Sequence, residues 1–193
     1  MDKELVEQLA PRITTFKIDD MKVMTVALKL IDSTDNSAIS SGRFPKEEIL
    51  DYHIYHACRI CEYPITLSDI NYKRKKENKQ PLNLGVIEML RGVISELEEF
   101  SIKNFPMEKY IERIFKRLGV DDDTRSEFNR FRMEMSRELR YRNENIIVAV
   151  CLYHAIGVTG MDITLEKIMR TLHVSRDGVR NLYKKLVEND KKS

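Results

Sequence analysis

The segment Ile54–Ile70 returns without a gap as Leu152–Ile168. Tyr55, His56, Ala57, Ile65, Thr66, Leu67 and Ile70 each stand 98 positions before their counterparts Tyr153, His154, Ala155, Ile163, Thr164, Leu165 and Ile168. A chain duplicated in this way must build the same pair of elements, joined by the same turn, in each half. The repeat is far longer than the ~20–50 residues of solenoid units, so it predicts two tandem domains of one fold. A unit of about 90–100 residues can bury a core of its own. The expected domains are residues 1–103 and 104–193.

Seven glycines, no sustained alternation of apolar and polar residues, and many segments with apolar residues three and four apart predict an all-α protein. In the first half the spacing predicts helices near 2–14, 20–33, 45–62, 66–73 and 84–100. The second half gives 106–118, 121–140, 143–157, 164–172 and 175–188, so each copy supplies five helices. Boundaries follow local chemistry. Pro45 and Pro106 suit first helical turns, where a missing N–H costs nothing. Asp121–Asp123 open a helix whose positive N-terminal end favours carboxylates. Thr66 and Asp69 have the spacing of a capping box, and Ser175 that of an N-cap. The polar stretch Lys73–Pro81 is expected to be a solvated surface loop, with phosphate contact as its functional alternative.

The formal net charge is only +2, yet it is uneven: residues 1–103 hold fifteen Lys/Arg against seventeen Asp/Glu, and residues 104–193 eighteen against fourteen. An anionic polymer would therefore be met mainly by the second half. No apolar run has the length of a membrane span and no signal-peptide pattern follows Met1, so the expectation is a soluble, cytoplasmic protein with no membrane partner. Three cysteines, an odd number, favour reduced thiols. Cys58 and Cys61 form a C-x-x-C, but a zinc site needs four ligands and no second pair follows, so both are expected to be buried helix cysteines and no metal is expected.

Functional content concentrates in Thr164–Leu186, which has the form of a helix-turn-helix. A short helix carries Leu165, Ile168, Met169 and Leu172 inward, His173-Val174 make the turn, and a second helix buries Val179, Leu182, Tyr183 and Leu186. Ser175, Arg176, Arg180, Asn181, Lys184 and Lys185 are left for solvent or DNA. Arg and Asn read guanine and adenine edges bidentately in the major groove, and Lys neutralises phosphate. An ordinary helical hairpin with a charged outer face would give the same pattern. In the first copy Ile87 and Glu88 stand where Arg180 and Asn181 stand later, which suggests one copy suited to nucleic acid and the other to protein contact. His56 and His154 lie on apolar helices without an acidic or Cys partner at ligand spacing, and packing is expected of both. There is no Gly-rich phosphate loop, nucleophile elbow or recognisable carboxylate pair; no enzyme, catalytic residue or cofactor is expected.

With these residues in view, the chain resembles the core of the archaeal transcription factor B and eukaryotic TFIIB family, two tandem cyclin-like repeats of five helices each. The first copy carries the likeness in Ser41–Leu50, Tyr55–Arg59 and Tyr63–Ile70, which match the family run G-R-S…Y-A-A-C-R…P-R-T-L-x-E-I. The second carries it in Val148–Tyr153 and Val174–Leu186, similar to A-A-A-A-L-Y and V-T-E-V-T-V-R-N-R-Y-K-E-L. The resemblance implies a transcription initiation factor whose partners are double-stranded promoter DNA, TATA-binding protein and, further off, RNA polymerase, acting at the nucleoid of an archaeal host or archaeal virus. It places Arg180 at the family arginine that enters the major groove upstream of the TATA element, and Gly42 and Arg43 at the loop near the downstream minor groove, where a narrow A·T groove attracts Arg.

The chain departs from the family pattern at Asp177 (a valine), Gly178 (a threonine) and Leu165 (a glutamine), and Arg142-Asn143-Glu144 stand for the second-copy Gly-Arg-Ser. The family's N-terminal zinc ribbon is not matched, so the expectation is a divergent or regulatory paralogue, or a core fragment, that does not recruit polymerase by the usual route. The competing expectation is a cyclin-like protein-interaction module, with a kinase or another regulator as partner and no contact with DNA.

Overall fold

The structure is a computed structural model that describes residues 3–33, 45–140 and 142–190. All its regular structure is helical: eleven helices and no strand among the described residues. The chain divides into two compact units, Met1–Pro106 and Met107–Ser193. Among the described residues no helix is long and apolar enough to cross a membrane.

The first unit holds α1 (Lys3–Thr15), α2 (Met21–Ser33), α3 (Lys46–Ile60), α4 (Leu67–Lys76) and α5 (Leu84–Ser95). Helix α3 is the hub, packing against α1, α2 and α4. Its residues Ile49–Ile54 are buried without interruption, as are Ala57 and Cys58. A helix covered on all sides in this way occupies the centre of its body. Tyr52 links the hub to α5: its hydroxyl donates to Glu48 at 3.0 Å and accepts from the backbone N–H of Asn83 at 2.9 Å. Asn83 caps α5 in turn. At the start of α4 the capping box is complete, with Asp69 N–H donating to Thr66 Oγ1 at 3.0 Å and Thr66 N–H to Asp69 Oδ2 at 3.1 Å.

Two expectations for the first unit require correction. The stretch from Lys73 is not a loop throughout: α4 runs on to Lys76, its last turn carrying Lys73, Arg74, Lys75 and Lys76. Cations at a helix C-terminus are favoured by the macrodipole, so the charge run read as a sign of loop extends the helix. Nor is it solvated throughout, since Arg74 is buried. Helix α5 stops at Ser95, short of residue 100. Glu96, Glu98 and Glu99 follow, and carboxylates are disfavoured at the negative end of a helix.

The second unit holds α6 (Met107–Leu118), α7 (Asp122–Glu134), the four-residue α8 (Ser136–Leu139), α9 (Glu144–Thr159), α10 (Leu165–Leu172) and α11 (Arg176–Asp190). Helix α9 is its hub, packing on α7, α10 and α11. Phe115 of α6 meets Phe128 of α7 edge to face at 4.9 Å. The single helix expected over 121–140 is broken at Met135 (φ −92°, ψ 15°), with Phe131 and Leu139 buried on either side of the break. Asp121 caps α7 by accepting from Thr124 N–H at 2.8 Å, and hydrogen bonds from the Thr124 side chain, first, and then its backbone hold the carboxyl below the ordinary value.

The duplication is visible in element boundaries. Helix α3 begins at Lys46 and α9 at Glu144, α4 at Leu67 and α10 at Leu165, all at the repeat offset of 98. Thr66 and Thr164 cap equivalent helices. The last helices follow a different offset, because residues 77–83 join α4 to α5 where the second unit has only a three-residue turn.

Candidate nucleic-acid interface

Helices α10 and α11 form a helix-turn-helix whose turn is set by backbone conformation. His173 ends α10 in the left-handed region (φ 54°, ψ 42°), and the N–H groups of His173 and Val174 both bond to the Met169 carbonyl. Glycine is the usual residue at such a position. Ser175 then caps α11, its Oγ accepting from Gly178 N–H at 3.1 Å. Ile168 and Leu172 of α10 and Val179 and Leu186 of α11 are buried, while Leu165, Met169, Leu182 and Tyr183 are half-buried at the edges.

Ser175, Arg176, Asp177, Arg180, Asn181, Lys184 and Lys185 are all exposed. From Arg176 on they recur at the three- and four-residue steps of one helical face, opposite Val179 and Leu186. Arg176 lies 3.6 Å from Glu166 of α10, and Lys184 3.6 Å from Glu188 one turn on. Arg180 and Lys185 pair with no carboxylate among the described residues. Gly42 and Arg43, the other expected DNA contacts, lie outside the described residues.

Three anchors hold this face in place, and none shows as a sequence motif. Asn145, at the start of α9, is fully buried, and its Nδ2 donates to the carbonyl of Leu172 at 2.7 Å. That carbonyl belongs to the last turn of α10, where no intrahelical donor remains. Ile146 supports the first turn of α11: a Cβ built on Gly178 would stand 3.6 Å from its Cδ1. The same Cβ would come within 2.9 Å of Ser175 Oγ, so glycine at this position leaves room for the cap.

The third anchor is His154. Its Nε2 lies 2.8 Å from Oε1 of Glu127 on α7, its ring stacks on Phe131 at 3.9 Å, and its Nδ1 is 3.4 Å from the Tyr183 hydroxyl on α11. With Nε2–H donating to the carboxylate, Nδ1 is left to accept from Tyr183. Arg130, first, and then His154 lower the Glu127 carboxyl below its ordinary range. The acidic partner that sequence spacing could not supply thus comes from another helix. His154 packs as expected, while also tying α11 to α7. His56 is buried in the core of the first unit.

Comparison of the two caps corrects the register of the last helices. Asn83 caps α5 and Ser175 caps α11, which aligns buried Ile87 with buried Val179 and buried Ile94 with buried Leu186. Arg180 therefore stands opposite exposed Glu88, and Asn181 opposite exposed Met89, one step from the expected pairing with Ile87 and Glu88. Where α11 shows cations, α5 exposes Leu84, Met89 and Val93.

All three cysteines are free thiols. Cys58 and Cys151 are buried; burial pushes Cys151 up to about 12. Cys61 is half-buried at the end of α3, not inside the helix as expected. Among the described residues no three His, Cys, Asp or Glu side chains stand together as a metal site. In comparison with known proteins, the chain matches no family model and no curated protein.

Proposed function

We propose that this protein is a transcription initiation factor B-like module, built of two cyclin-like bodies, that binds promoter DNA together with TATA-binding protein at the nucleoid. One observation carries this reading: a helix-turn-helix whose second helix exposes Arg180, Asn181 and Lys185 on one face, with its opposite face held by the second unit's core. Arg180 and Asn181 have the side chains that read guanine and adenine edges, and Lys184 and Lys185 supply phosphate contacts. Exposed Asp177 adds an acceptor for a cytosine amino group and weakens attraction to phosphates, so the preferred sequence differs from one read by a valine there.

A second reading, a cyclin-like protein-interaction module that does not bind DNA, is favoured by the exposed Leu84, Met89 and Val93 of α5. Gel-shift titration of a TATA-containing duplex, with and without TATA-binding protein and at two salt concentrations, separates the two. The first reading expects a ternary complex that weakens steeply with salt and loses sequence discrimination in Arg180→Ala. A chain that stays free of the duplex under every condition gives the second reading the field.

A further inference from the structure

We propose that the duplicated histidine is an acid-sensitive latch in the first unit alone: a proton on His56 releases α5 from its hub, whereas a proton on His154 leaves α11 tied to the second. The two copies place the residue in equivalent surroundings. Buried Val23, Ala27 and Leu30 of α2 stand 101 positions before buried Thr124, Phe128 and Phe131 of α7. Glu127 and Phe131, which hold His154 from α7, therefore match Val26 and Leu30. By the register that the caps set, Tyr183 of α11 matches Arg91 of α5. An acid, a ring and a hydroxyl in the second copy thus become two aliphatic chains and a cation in the first.

Burial makes this exchange matter. His56 is 1% exposed, and neither of its ring nitrogens has a hydrogen-bond partner among the described residues. The titratable and charged groups that act on it are His53 and Arg59 of α3 and Arg91 of α5, and none is a carboxylate. From α2, Val26 and Leu30 cannot titrate. Glu88, paired with Arg91 at 3.6 Å, lies exposed at the surface. The backbone of Ile87 favours a proton, but burial, first, and then His53 outweigh it and hold the ring at about 4. A charge in a core without a counterion is strongly disfavoured, so the imidazolium forms by opening the contact between α3 and α5. On His154 an added proton has the Tyr183 hydroxyl as acceptor at Nδ1, while Nε2–H stays on the Glu127 carboxylate at 2.8 Å. One residue is therefore a seam in the first copy and a tie in the second. Opening the seam exposes Val86, Ile87, Leu90 and Ile94, the buried face of a helix whose other side already shows Leu84, Met89 and Val93.

Hydrogen exchange of the full chain at pH 7.5 and pH 5 tests the latch. A ring that titrates at 6.5 when free and at about 4 when packed makes opening of α5 about 30-fold more favourable at the lower pH. Amides of α5 are expected to lose that factor of protection, relative to their intrinsic exchange rates, while those of α11 keep theirs. The loss disappears in His56→Leu and persists in His53→Leu. It shrinks in Val26→Glu, which supplies the carboxylate that α7 gives His154; should that variant fail to fold, the two histidine variants decide alone. A loss of α5 protection that survives in His56→Leu, or that vanishes in His53→Leu, overturns the latch. So does an equal loss in α11, or a folded Val26→Glu chain that responds to acid as the wild type does.

Discussion

Arg74 donates from Nη1 to Oδ2 of Asp51 at 2.5 Å, and both side chains are buried. Arg12 of α1 meets the same carboxylate from the other side, with Nε on Oδ1 at 2.6 Å and Nη2 on Oδ2 at 2.7 Å. Burial opposes the charge of Arg12, but the bonds to Asp51 and Glu77 outweigh it and raise its pKa. Glu48 and Glu77 balance the remaining charge. One carboxylate in the hub thus fastens α1 and α4 to α3.

Removing that carboxylate leaves two buried guanidinium groups facing each other. Asp51→Ala is therefore expected to cost ~3–5 kcal/mol, the range for breaking a buried ion pair from one side. Arg74→Met leaves Asp51 still paired with Arg12, and is expected to cost less. Urea unfolding of the two variants measures the difference; equal losses would show that the bond to Arg12 does not sustain Asp51 alone.

Acid should loosen the first unit before ordinary carboxylates titrate. Burial lowers both His53 and His56 from 6.5 to about 4, with His53, Arg91 and Arg59 adding to the effect on His56. Because the unfolded chain takes up these protons first, their contribution is complete above about pH 6.5 and is lost as pH falls towards 4. Each histidine contributes a slope of roughly 1 kcal/mol per pH unit within that window. Urea midpoints at steps from pH 7.5 to 4.5 should fall accordingly, and less steeply in His56→Leu. A flat profile between pH 6.5 and 5 would contradict the buried neutral state of both rings.

The hubs, the caps and the helix-turn-helix were legible in the chain because each rests on local pattern: apolar spacing for α9, Thr66 with Asp69 for α4, Ser175 for α11. Arg74 was not, since nothing within a few residues of it announces Asp51, 23 positions away. Its place in a run of lysines made it look solvated. The same holds for Glu127, which reaches His154 across 27 positions, and for Asn145, whose partner is a backbone carbonyl with no sequence signature. Register in the last helix was misplaced by one residue because two adjacent apolar residues, Val86 and Ile87, both fit the pattern; the caps decide between them.

Asn145→Ala tests how the motif is held. The substitution removes the donor from the Leu172 carbonyl and opens a small void, at an expected cost of ~1–3 kcal/mol. Since the bond joins α9 to the end of α10, backbone amides of α10 and the first turns of α11 should exchange with deuterium faster, while those of α6 keep their protection. Uniform acceleration across the second unit would mean that the motif has no separate anchor at Asn145.

Arg180 and Lys185 share the exposed face of α11 but differ in what they can recognise. A guanidinium that bonds two acceptors on one guanine contributes ~1–3 kcal/mol of discrimination, whereas an ammonium on phosphate contributes alike on every sequence. Arg180→Ala should therefore bring preferred and scrambled duplexes together in affinity, by about 5- to 150-fold at the preferred site. Lys185→Ala should weaken both equally and make the salt slope shallower by about 1. Competition gel shifts with the two duplexes at two salt concentrations measure both effects. If the two variants lose affinity in the same proportion on both duplexes, Arg180 acts as a phosphate contact and the guanine-reading role assigned to it is wrong.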